Sequence, residues 1–287
     1  MSETITFGAA QIPVTDKIDT NLVTLKRAID WAEENNVDYL LTPEGSLSGY
    51  VPSFNEEVSE EAIVEAVWEI VDYAAAKKVG LALGTKYKED DKVFNQIRVY
   101  DKEGLFVGAH DKMYSLAEYD RSEMPHRIDP ITIKHNGYKI KALCLLCNDF
   151  WGGYNQDAYP LPKVINEPET AAHLILHGSN GFRGFGLQSE DILYEWHNAV
   201  LRFMSFELHT HVITADNSIT MHGGDYDGRT SSRSGVVYTG QWLTEEKNVG
   251  EQYFKIELDC HKLTNWEYKV DPDIEQKRKY NIGTHRL

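Results

Sequence analysis

The sequence predicts one α/β domain in which mixed β-sheets lie inside and helices lie outside. Short apolar runs alternate with amphipathic stretches from one end of the 287-residue chain to the other. Several later apolar runs are separated by turn signals typical of hairpins. No shift in composition and no Pro/Ser-rich linker divides the chain, which is long enough to bury a large core. We therefore treat residues 1–287 as a single domain.

The first part of the chain predicts strands that alternate with helices. The predicted strands are residues 4–12, 39–42 and 80–85, and the predicted helices are residues 21–34 and 59–78. The first strand is rich in β-branched and small residues, and Pro13 closes it. Both helices repeat apolar residues on one face, and Ser59 is suited to cap the second of them.

The rest of the chain predicts hairpins and one long helix. The predicted strands are residues 93–100, 105–109, 138–146, 172–177, 211–215, 234–238 and 252–258, and the helix is residues 191–208. Gly104 ends the turn between the first two of these strands. We expect the last two strands to pair as a hairpin around Gly240.

The charge balance and the apolar runs exclude several classes of protein. The chain has 29 Lys and Arg against 45 Asp and Glu, a net charge of −16 that is spread along its length. Nucleic acids and anionic membrane surfaces need a basic face, so we expect neither as a partner. No apolar run approaches the ~18 residues of a membrane-spanning helix, and the first residues do not form a signal-peptide pattern. Three cysteines make no disulfide framework, which predicts a cytoplasmic protein.

Three residues at the ends of predicted strands could carry chemistry. Glu44 follows a strand in a turn with several glycines, where α/β folds place their sites, although position alone favours a solvated carboxylate. Lys112 would hold a developing oxyanion if it faced a pocket, whereas most strand-end lysines only add solubility. Cys147 ends an apolar strand before a polar turn, which suits a nucleophile, although free cysteine is commonly a small buried hydrophobe.

Cys144 and Cys147 form a C-x-x-C pattern that would fit a redox or zinc protein. Residues three apart on a strand point to opposite faces, so the pair is poorly placed to share a metal or form a disulfide. We interpret Cys144 as a core residue and Cys147 as exposed.

Two histidine pairs have spacings that would suit a metal. They are His173 with His177 and His209 with His211. Both pairs lie in apolar strand contexts without an H-E-x-x-H motif, so we interpret them as structural. The sequence contains no phosphate-binding G-x-x-x-x-G-K-[ST] loop and no G-x-G-x-x-G after a strand. We therefore expect no metal and no cofactor.

The ordered set of Pro43-Glu44, Lys112 and Cys147 resembles the nitrilase (carbon–nitrogen hydrolase) superfamily. The resemblance extends over nearly the whole chain. The further matching segments are residues 9–11, the helix that begins near residue 21, residues 93–104, residues 204–207, residues 211–217 and residues 232–240. The nucleophile turn reads Cys-Asn-Asp-Phe-Trp where Cys-Tyr-Asp is commoner, which indicates a less familiar branch.

The resemblance implies a four-layer α-β-β-α sandwich with a Glu-Lys-Cys centre. Glu44 would be the general base, Lys112 the oxyanion stabiliser and Cys147 the nucleophile. Many members have a second glutamate several residues after the lysine, for which Glu118 is our choice and Glu123 the alternative. The resemblance also implies a homodimer or higher homo-oligomer, commonly formed through helices on one outer face.

Five further residues would line the substrate pocket. They are Tyr50, Asn148, Phe150, Trp151 and Asn180. A backbone N–H near Asn148 would help to hold the oxyanion, and the family places the strand end beside Asn180 at the site. Phe150 and Trp151 could wall the pocket, although aromatic residues after a strand are more often core.

The activity that the resemblance implies is hydrolysis of a C–N bond in a small linear amide or N-carbamoyl compound. The reaction would pass through a thioester on Cys147, release ammonia or an amine, and consume water. We place amidase or N-carbamoyl hydrolase activity above nitrilase activity on a small nitrile. The alternatives from other classes are a catalytically inactive binding protein with the same fold and a C-x-x-C redox or zinc protein.

Overall fold

Two six-stranded sheets face each other in a computed structural model of the chain, and helices lie against their outer surfaces. The structure describes residues 3–50, 57–90, 92–114, 129–151, 171–181, 190–219, 221–222, 225–226, 230–245 and 249–265. The strands are β1 Thr4–Gln11, β2 Tyr39–Leu41, β3 Gly80–Glu89, β4 Lys92–Tyr100, β5 Phe106–Asp111, β6 Ile131–His135, β7 Tyr138–Leu146, β8 Leu174–Ser179, β9 His211–Asp216, β10 Met221–His222, β11 Asp225–Tyr226, β12 Gly235–Tyr238, β13 Gln241–Trp242 and β14 Gln252–Asp259. The helices are α1 Ile18–Glu34, α2 Glu60–Ala76, α3 Asn148–Trp151, α4 Glu190–Glu207 and α5 Cys260–Thr264.

The two sheets have related orders. The first runs β14-β1-β2-β3-β4-β5 and the second runs β13-β12-β9-β8-β7-β6. In each sheet the three central strands are parallel, β1-β2-β3 in one and β7-β8-β9 in the other, and antiparallel strands flank them. The parallel strands of each sheet end at one edge, and the two edges lie together, because a Cβ atom on Gly178 of β8 would lie 3.2 Å from the Thr42 carbonyl oxygen after β2. The turns after β2 and β7 are therefore available to build one site.

The hydrophobic core lies in three layers. Between the sheets, residues such as Phe7 and Ile97 of the first sheet pack with Ile140 and Leu176 of the second. The apolar faces of α1 and α2 cover the outer surface of the first sheet. Leu201 and other residues of α4 cover the outer surface of the second. The order of layers is therefore α-β-β-α, and the predicted sandwich is confirmed.

Most of the predicted elements are present, and the Ser59 cap is confirmed. The Ser59 hydroxyl oxygen accepts a hydrogen bond from the Ala62 amide at 3.1 Å. Two of the differences from expectation concern β3 and β6. β3 continues to Glu89, four residues past the predicted end, because it pairs with β4 along its length. β6 was not predicted, and it pairs with β7 at the edge of the second sheet.

The predicted final hairpin is wrong. β12 pairs with the two-residue strand β13 across a tight turn at Thr239 and Gly240, whose φ angles are 46° and 77°. Two consecutive positive φ angles are the signature of a two-residue hairpin turn. β14 crosses to the other sheet and pairs with β1 along eight positions, because β1 offers it an open edge.

Candidate active site

Glu44 lies on the turn that follows β2, and its side chain is completely buried. Gly45 and Gly49 have φ angles of 68° and 77°, and the Gly49 amide donates to the Gly45 carbonyl, which closes the turn. The Glu44 Oε1 atom accepts hydrogen bonds from Lys112 Nζ at 2.7 Å and from Asn95 Nδ2 at 2.8 Å. The alternative of a solvated loop carboxylate is therefore excluded.

The Glu44 turn is fixed to β3 by two hydroxyl groups. The Thr42 and Ser46 hydroxyls lie 2.7 Å apart, Thr42 accepts from the Gly84 amide at 3.0 Å, and Ser46 donates to the Gly84 carbonyl at 2.9 Å. A Cβ atom on Gly84 would lie 2.0 Å from the Pro43 carbonyl oxygen, so the turn approaches β3 as closely as glycine allows.

Lys112 follows β5 and places its ammonium group beside the Glu44 carboxylate. Its side chain is 1 % exposed, and its Nζ atom also donates to the Tyr50 hydroxyl at 3.2 Å. The Lys112 amide donates to the Asn95 carbonyl at 2.8 Å, so the backbone and the side chain of Asn95 hold both members of the ion pair. A buried ion pair is costly to desolvate, so this pair is better evidence for a functional site than for a contribution to stability.

Cys147 lies at the junction between β7 and α3 with a φ angle of 41°. A positive φ at a non-glycine residue is strained, and such strain is found at functional turns. The Cys147 amide donates to the Gly178 carbonyl at 2.9 Å, which fixes the turn to β8. Cys147 and Cys144 belong to clusters on opposite faces of the sheet, as the strand periodicity predicts.

The prediction that Cys147 is exposed is wrong. Cys147 is only 4 % exposed, because its turn packs into the cluster between the second sheet and α4. Burial raises the pKa of its thiol to about 12. The negative charges of Glu44 and Asp216 also raise this pKa, while Lys112 and the Ser179 hydroxyl lower it. At neutral pH the sulfur therefore carries its proton, and a base must remove that proton when the sulfur reacts.

Asp149 joins the strand end that carries Lys112 to the strand end that carries Cys147. Its Oδ1 atom accepts from the amides of Met113 and Tyr114 at 2.8 and 2.9 Å. Its Oδ2 atom accepts from the Leu146 amide at 3.2 Å and lies 2.9 Å from Nε2 of His110. Asp149 follows the cysteine by two residues, but the sequence gave no sign of its role, because its partners Met113 and Tyr114 lie 36 and 35 residues away in the chain.

Replacing Asp149 with asparagine is expected to lower kcat/KM by about 100-fold, because Lys112 and Cys147 would no longer be held in register. The asparagine side chain keeps one acceptor oxygen, but its NH₂ group would face backbone N–H donors that the aspartate now accepts from. Ammonia-release kinetics would measure the loss, with Asp111→Asn on the neighbouring strand as the control. A variant whose kcat/KM stays within about threefold of the wild type would show that Asp149 does not position the site.

Asn180 borders the Glu44 turn. Its Nδ2 atom donates to the Glu44 backbone carbonyl at 3.3 Å, and its Oδ1 atom accepts from Asn217 Nδ2 at 2.9 Å. Asn217 Oδ1 in turn accepts from the Val14 amide at 3.0 Å. This chain of amides links the strand ends of both sheets beside Glu44, and the sequence had not singled out Asn217.

Of the remaining predicted site residues, one lies beside Cys147, one lies in the core, and the side chains of three lie outside the described residues. Asn148 is buried next to Cys147 in α3. Phe150 packs inside the cluster under α4, with its ring 4.9 Å from the His177 ring, which is the core arrangement. The backbone of Trp151 ends α3, and its side chain lies outside the described residues. Glu118 and Glu123 also lie outside the described residues.

The histidines with ligand-like spacing have hydrogen-bonding and packing roles. His173 Nδ1 accepts from the Lys141 amide at 3.0 Å, and His177 Nδ1 lies 2.9 Å from the Thr214 hydroxyl. The His211 ring stacks on Tyr238 with centroids 4.1 Å apart. Within the described ranges, no group of three or more His, Cys, Asp or Glu side chains is arranged to hold a metal ion.

His177 is expected to make the fold sensitive to acid. Burial lowers its pKa from 6.5 to about 3, so the folded state stays neutral where the unfolded chain binds a proton. The contribution of His177 to the free energy of unfolding should therefore be fully present above pH 6.5. It should fall by about 1.4 kcal/mol for each pH unit from 6.5 down toward 3. Urea titrations between pH 4.5 and 7 would show a shallower pH dependence in His177→Gln. Equal slopes in the two proteins would contradict this assignment.

Comparison with protein-family models gives a match over part of the chain. Residues 6–144 match the family model for carbon–nitrogen hydrolase. The match extends over 139 of the 287 residues and agrees with the superfamily resemblance that the sequence showed. A comparison with curated proteins gives no significant match.

The fold is similar to that of an amidase from Nesterenkonia sp. AN1. A mutant of that amidase with acrylamide added at its active-site cysteine is 19 % identical, with a TM-score of 0.71 over 96 % of this chain and 99 % of the other. A second mutant, described as from the nitrilase superfamily, is 18 % identical, with a TM-score of 0.71 over 96 % and 97 %. At this level of identity the likeness shows the fold.

No described helix is long and apolar enough to cross a bilayer.

Proposed function

We propose that the chain is a carbon–nitrogen hydrolase superfamily member and a cysteine-dependent hydrolase of a small linear amide or N-carbamoyl compound. One observation carries the proposal. The buried Glu44 carboxylate and the buried Lys112 ammonium lie 2.7 Å apart, and the charges of both shift the pKa of the buried Cys147 thiol. Cys147 itself lies on a turn with a positive φ angle. A binding protein has no use for all three groups. The amidase activity of the structural relatives agrees with this assignment.

In the first half of the reaction Glu44 takes the thiol proton while the Cys147 sulfur attacks the carbonyl carbon. The carbonyl π electrons move to oxygen, and the Lys112 ammonium with the backbone N–H near Asn148 holds the resulting oxyanion. When the C–N bond breaks, the proton on Glu44 passes to the departing nitrogen. Ammonia or an amine leaves, and a thioester to Cys147 remains.

In the second half of the reaction Glu44 takes a proton from water, whose oxygen attacks the thioester carbon. The second oxyanion uses the same donors. Its collapse breaks the C–S bond, and the sulfur recovers the proton from Glu44. We assign a second glutamate to this centre, Glu118 with Glu123 as the alternative, and Tyr50 to the pocket because it contacts Lys112.

An ammonia-release screen over ω-amides, N-carbamoyl amines and nitriles tests this proposal, with the Cys147→Ala protein as the blank. We expect release from an amide or carbamoyl compound. Release from nitriles alone would replace the proposal with nitrilase activity. No release from any compound, together with no acyl-enzyme mass, would favour a binding protein with this fold.

We propose that the protein resides in the cytoplasm, where its three free cysteines stay reduced.

We also propose that the protein forms a homodimer through α4. The exposed face of α4 carries four exposed large apolar side chains, those of Ile192, Trp196, Phe203 and Phe206. Its residues are Ile192, Glu195, Trp196, Ala199, Arg202, Phe203 and Phe206. A two-fold axis at Ala199 would place Ile192 of one copy against Phe206 of the other, and Trp196 against Arg202. This arrangement buries apolar area and allows a cation–π contact.

The dimer proposal predicts that Phe203→Glu yields a monomer, because the interface would bury an unpaired carboxylate. Size-exclusion chromatography with light scattering would measure the molecular mass. Trp68→Glu, which places the same charge at an exposed tryptophan of α2, should leave the dimer intact. A monomeric wild type, or a dimeric Phe203→Glu protein, would contradict the proposal.

A further inference from the structure

Ser179 is the last residue of β8, and its side chain is completely buried. No nitrogen or oxygen atom of a described residue forms a hydrogen bond with its Oγ atom. Burying a hydroxyl without such a partner costs stability, because water would satisfy the group in the unfolded chain. A group of this kind in a folded protein calls for an explanation, and the neighbours of Ser179 supply one.

The strand register places Ser179 beside Cys147. β7 and β8 are parallel, and their last register pair is Leu146 with Gly178. Cys147 and Ser179 each follow that pair by one residue, and the Cys147 amide donates to the Gly178 carbonyl at 2.9 Å. Ile175, four residues before Ser179, belongs to the same cluster under α4 as Cys147. Because strand side chains alternate between faces, Ser179 lies on the face of the sheet that carries the thiol.

The Cys147 sulfur is the partner of this hydroxyl. Burial has the largest influence on the pKa of the Cys147 thiol and raises it, whereas a hydrogen bond with the Ser179 hydroxyl lowers it. A hydrogen bond lowers the pKa of an acid when it stabilises the charged form, which here is the thiolate. The hydroxyl is therefore the donor and the sulfur is the acceptor.

The carboxylate that the sheet places next to Ser179 is occupied by other donors. Ser179 pairs in register with Asp216 of β9. The Asp216 Oδ2 atom accepts from the Ser231 hydroxyl at 2.7 Å and from the amide and hydroxyl of Ser232 at 2.7 and 3.2 Å. The Oδ1 atom accepts from the Asn217 amide at 2.8 Å. The Ser179 hydroxyl is thus directed to the thiol rather than to this carboxylate.

We propose that Ser179 is a further catalytic residue, whose hydroxyl donates a hydrogen bond to the sulfur of Cys147 whenever that sulfur carries negative charge. The charge develops first as Glu44 takes the thiol proton, and it returns when the C–S bond of the thioester breaks. The hydroxyl keeps its own proton throughout. Hydrogen bonds to charged groups are the stronger ones, so this contact favours both transition states over the resting thiol. The inference rests on the proposed function for these two steps, but not for the contact itself.

Alkylation of Cys147 by iodoacetamide tests the hydrogen bond without any amide turnover. We expect Ser179→Ala to slow this alkylation near pH 8 by about three- to tenfold, because the thiolate fraction falls and the greater nucleophilicity of a more basic thiolate offsets only part of the fall. Mass spectrometry would measure the rate as a ratio to that of Cys260 in the same sample. Ser205→Ala, which removes a fully buried hydroxyl from α4, should leave the ratio unchanged.

A second pair of variants separates the hydroxyl group from the shape of the side chain. Ser179→Thr and Ser179→Val introduce side chains of nearly the same shape, and only the first keeps a hydroxyl. Cys147 should be alkylated at least about threefold faster in Ser179→Thr than in Ser179→Val. Equal rates in these two variants, or a ratio in Ser179→Ala within about 1.5-fold of the wild type, would overturn the inference. A purely structural role would instead speed the alkylation of Cys260, because a loosened fold exposes buried thiols.

The same measurements separate this inference from the proposed function. If no compound in the ammonia-release screen is hydrolysed but Ser179→Ala slows the alkylation of Cys147, only the proposed function fails. If amides are hydrolysed and the alkylation is unchanged in Ser179→Ala, the inference fails and the proposed function stands. If both hold, kcat/KM for the amide should fall by about tenfold in Ser179→Ala and recover in Ser179→Thr.

Discussion

Replacing Cys147 with alanine is expected to lower kcat/KM for every amide substrate by at least about 10⁴-fold, because it removes the covalent route entirely. The Lys112–Glu44 pair would remain, and it could activate water only weakly against an unactivated amide. Initial rates of ammonia release over a wide enzyme concentration range would measure the residual activity.

Cys260→Ala is the matched control for this prediction. Cys260 is also a buried free cysteine, and burial raises its pKa to about 11, but it lies at the start of α5, in the cluster between the sheets. Its loss should leave kcat/KM within about threefold. A Cys147→Ala protein that keeps more than a few per cent of wild-type activity would contradict the assignment of the nucleophile.

Replacing Glu44 with glutamine is expected to lower kcat/KM by about 10²- to 10⁴-fold, the range for a general base. The side chain keeps its shape and an oxygen for Lys112 and Asn95, but it no longer accepts a proton. Because the pKa of Cys147 is raised to about 12, almost no thiolate exists near pH 7 to bypass the base. Steady-state kinetics from pH 6 to pH 9 would measure the effect.

A structural role for Glu44 would give a different outcome. Circular dichroism and urea unfolding should show that Glu44→Gln folds, and Glu69→Gln, at an exposed salt bridge with Lys26, should keep full activity. If Glu44→Gln retained kcat/KM within about tenfold across this pH range, another group would have to be the base.

The sequence predicted the layers of the fold better than the pairing of its strands. Local periodicity identified β7 to the residue, because nine consecutive apolar-patterned residues are a local property. The partner of β14 is not local. Residues 252–258 could pair with either neighbour in sequence or with β1, and only the assembled sheets favour β1.

For the candidate site, too, local features of the chain could be predicted and long-range contacts could not. The order of Glu44, Lys112 and Cys147 could be recognised in the chain, and the structure brings Glu44 and Lys112 into contact. The burial of Cys147, the bridging role of Asp149 and the burial of Lys86 in β3, whose side chain is 1 % exposed, could not be predicted. Each of them depends on what the other sheet or a distant turn places against it, and a lysine in a strand ordinarily indicates a solvent-facing position.

The most direct test of the central claim is to treat the protein with substoichiometric iodoacetamide at neutral pH and map the alkylated cysteines by mass spectrometry. Iodoacetamide carries an amide group that fits the proposed site, and Glu44 can take the thiol proton there. We expect the label on Cys147 well before Cys144 or Cys260, with activity lost in proportion and labelling slowed in Glu44→Gln. Labelling of Cys147 no faster than Cys260, or loss of activity without a label on Cys147, would contradict a base-activated Cys147 nucleophile.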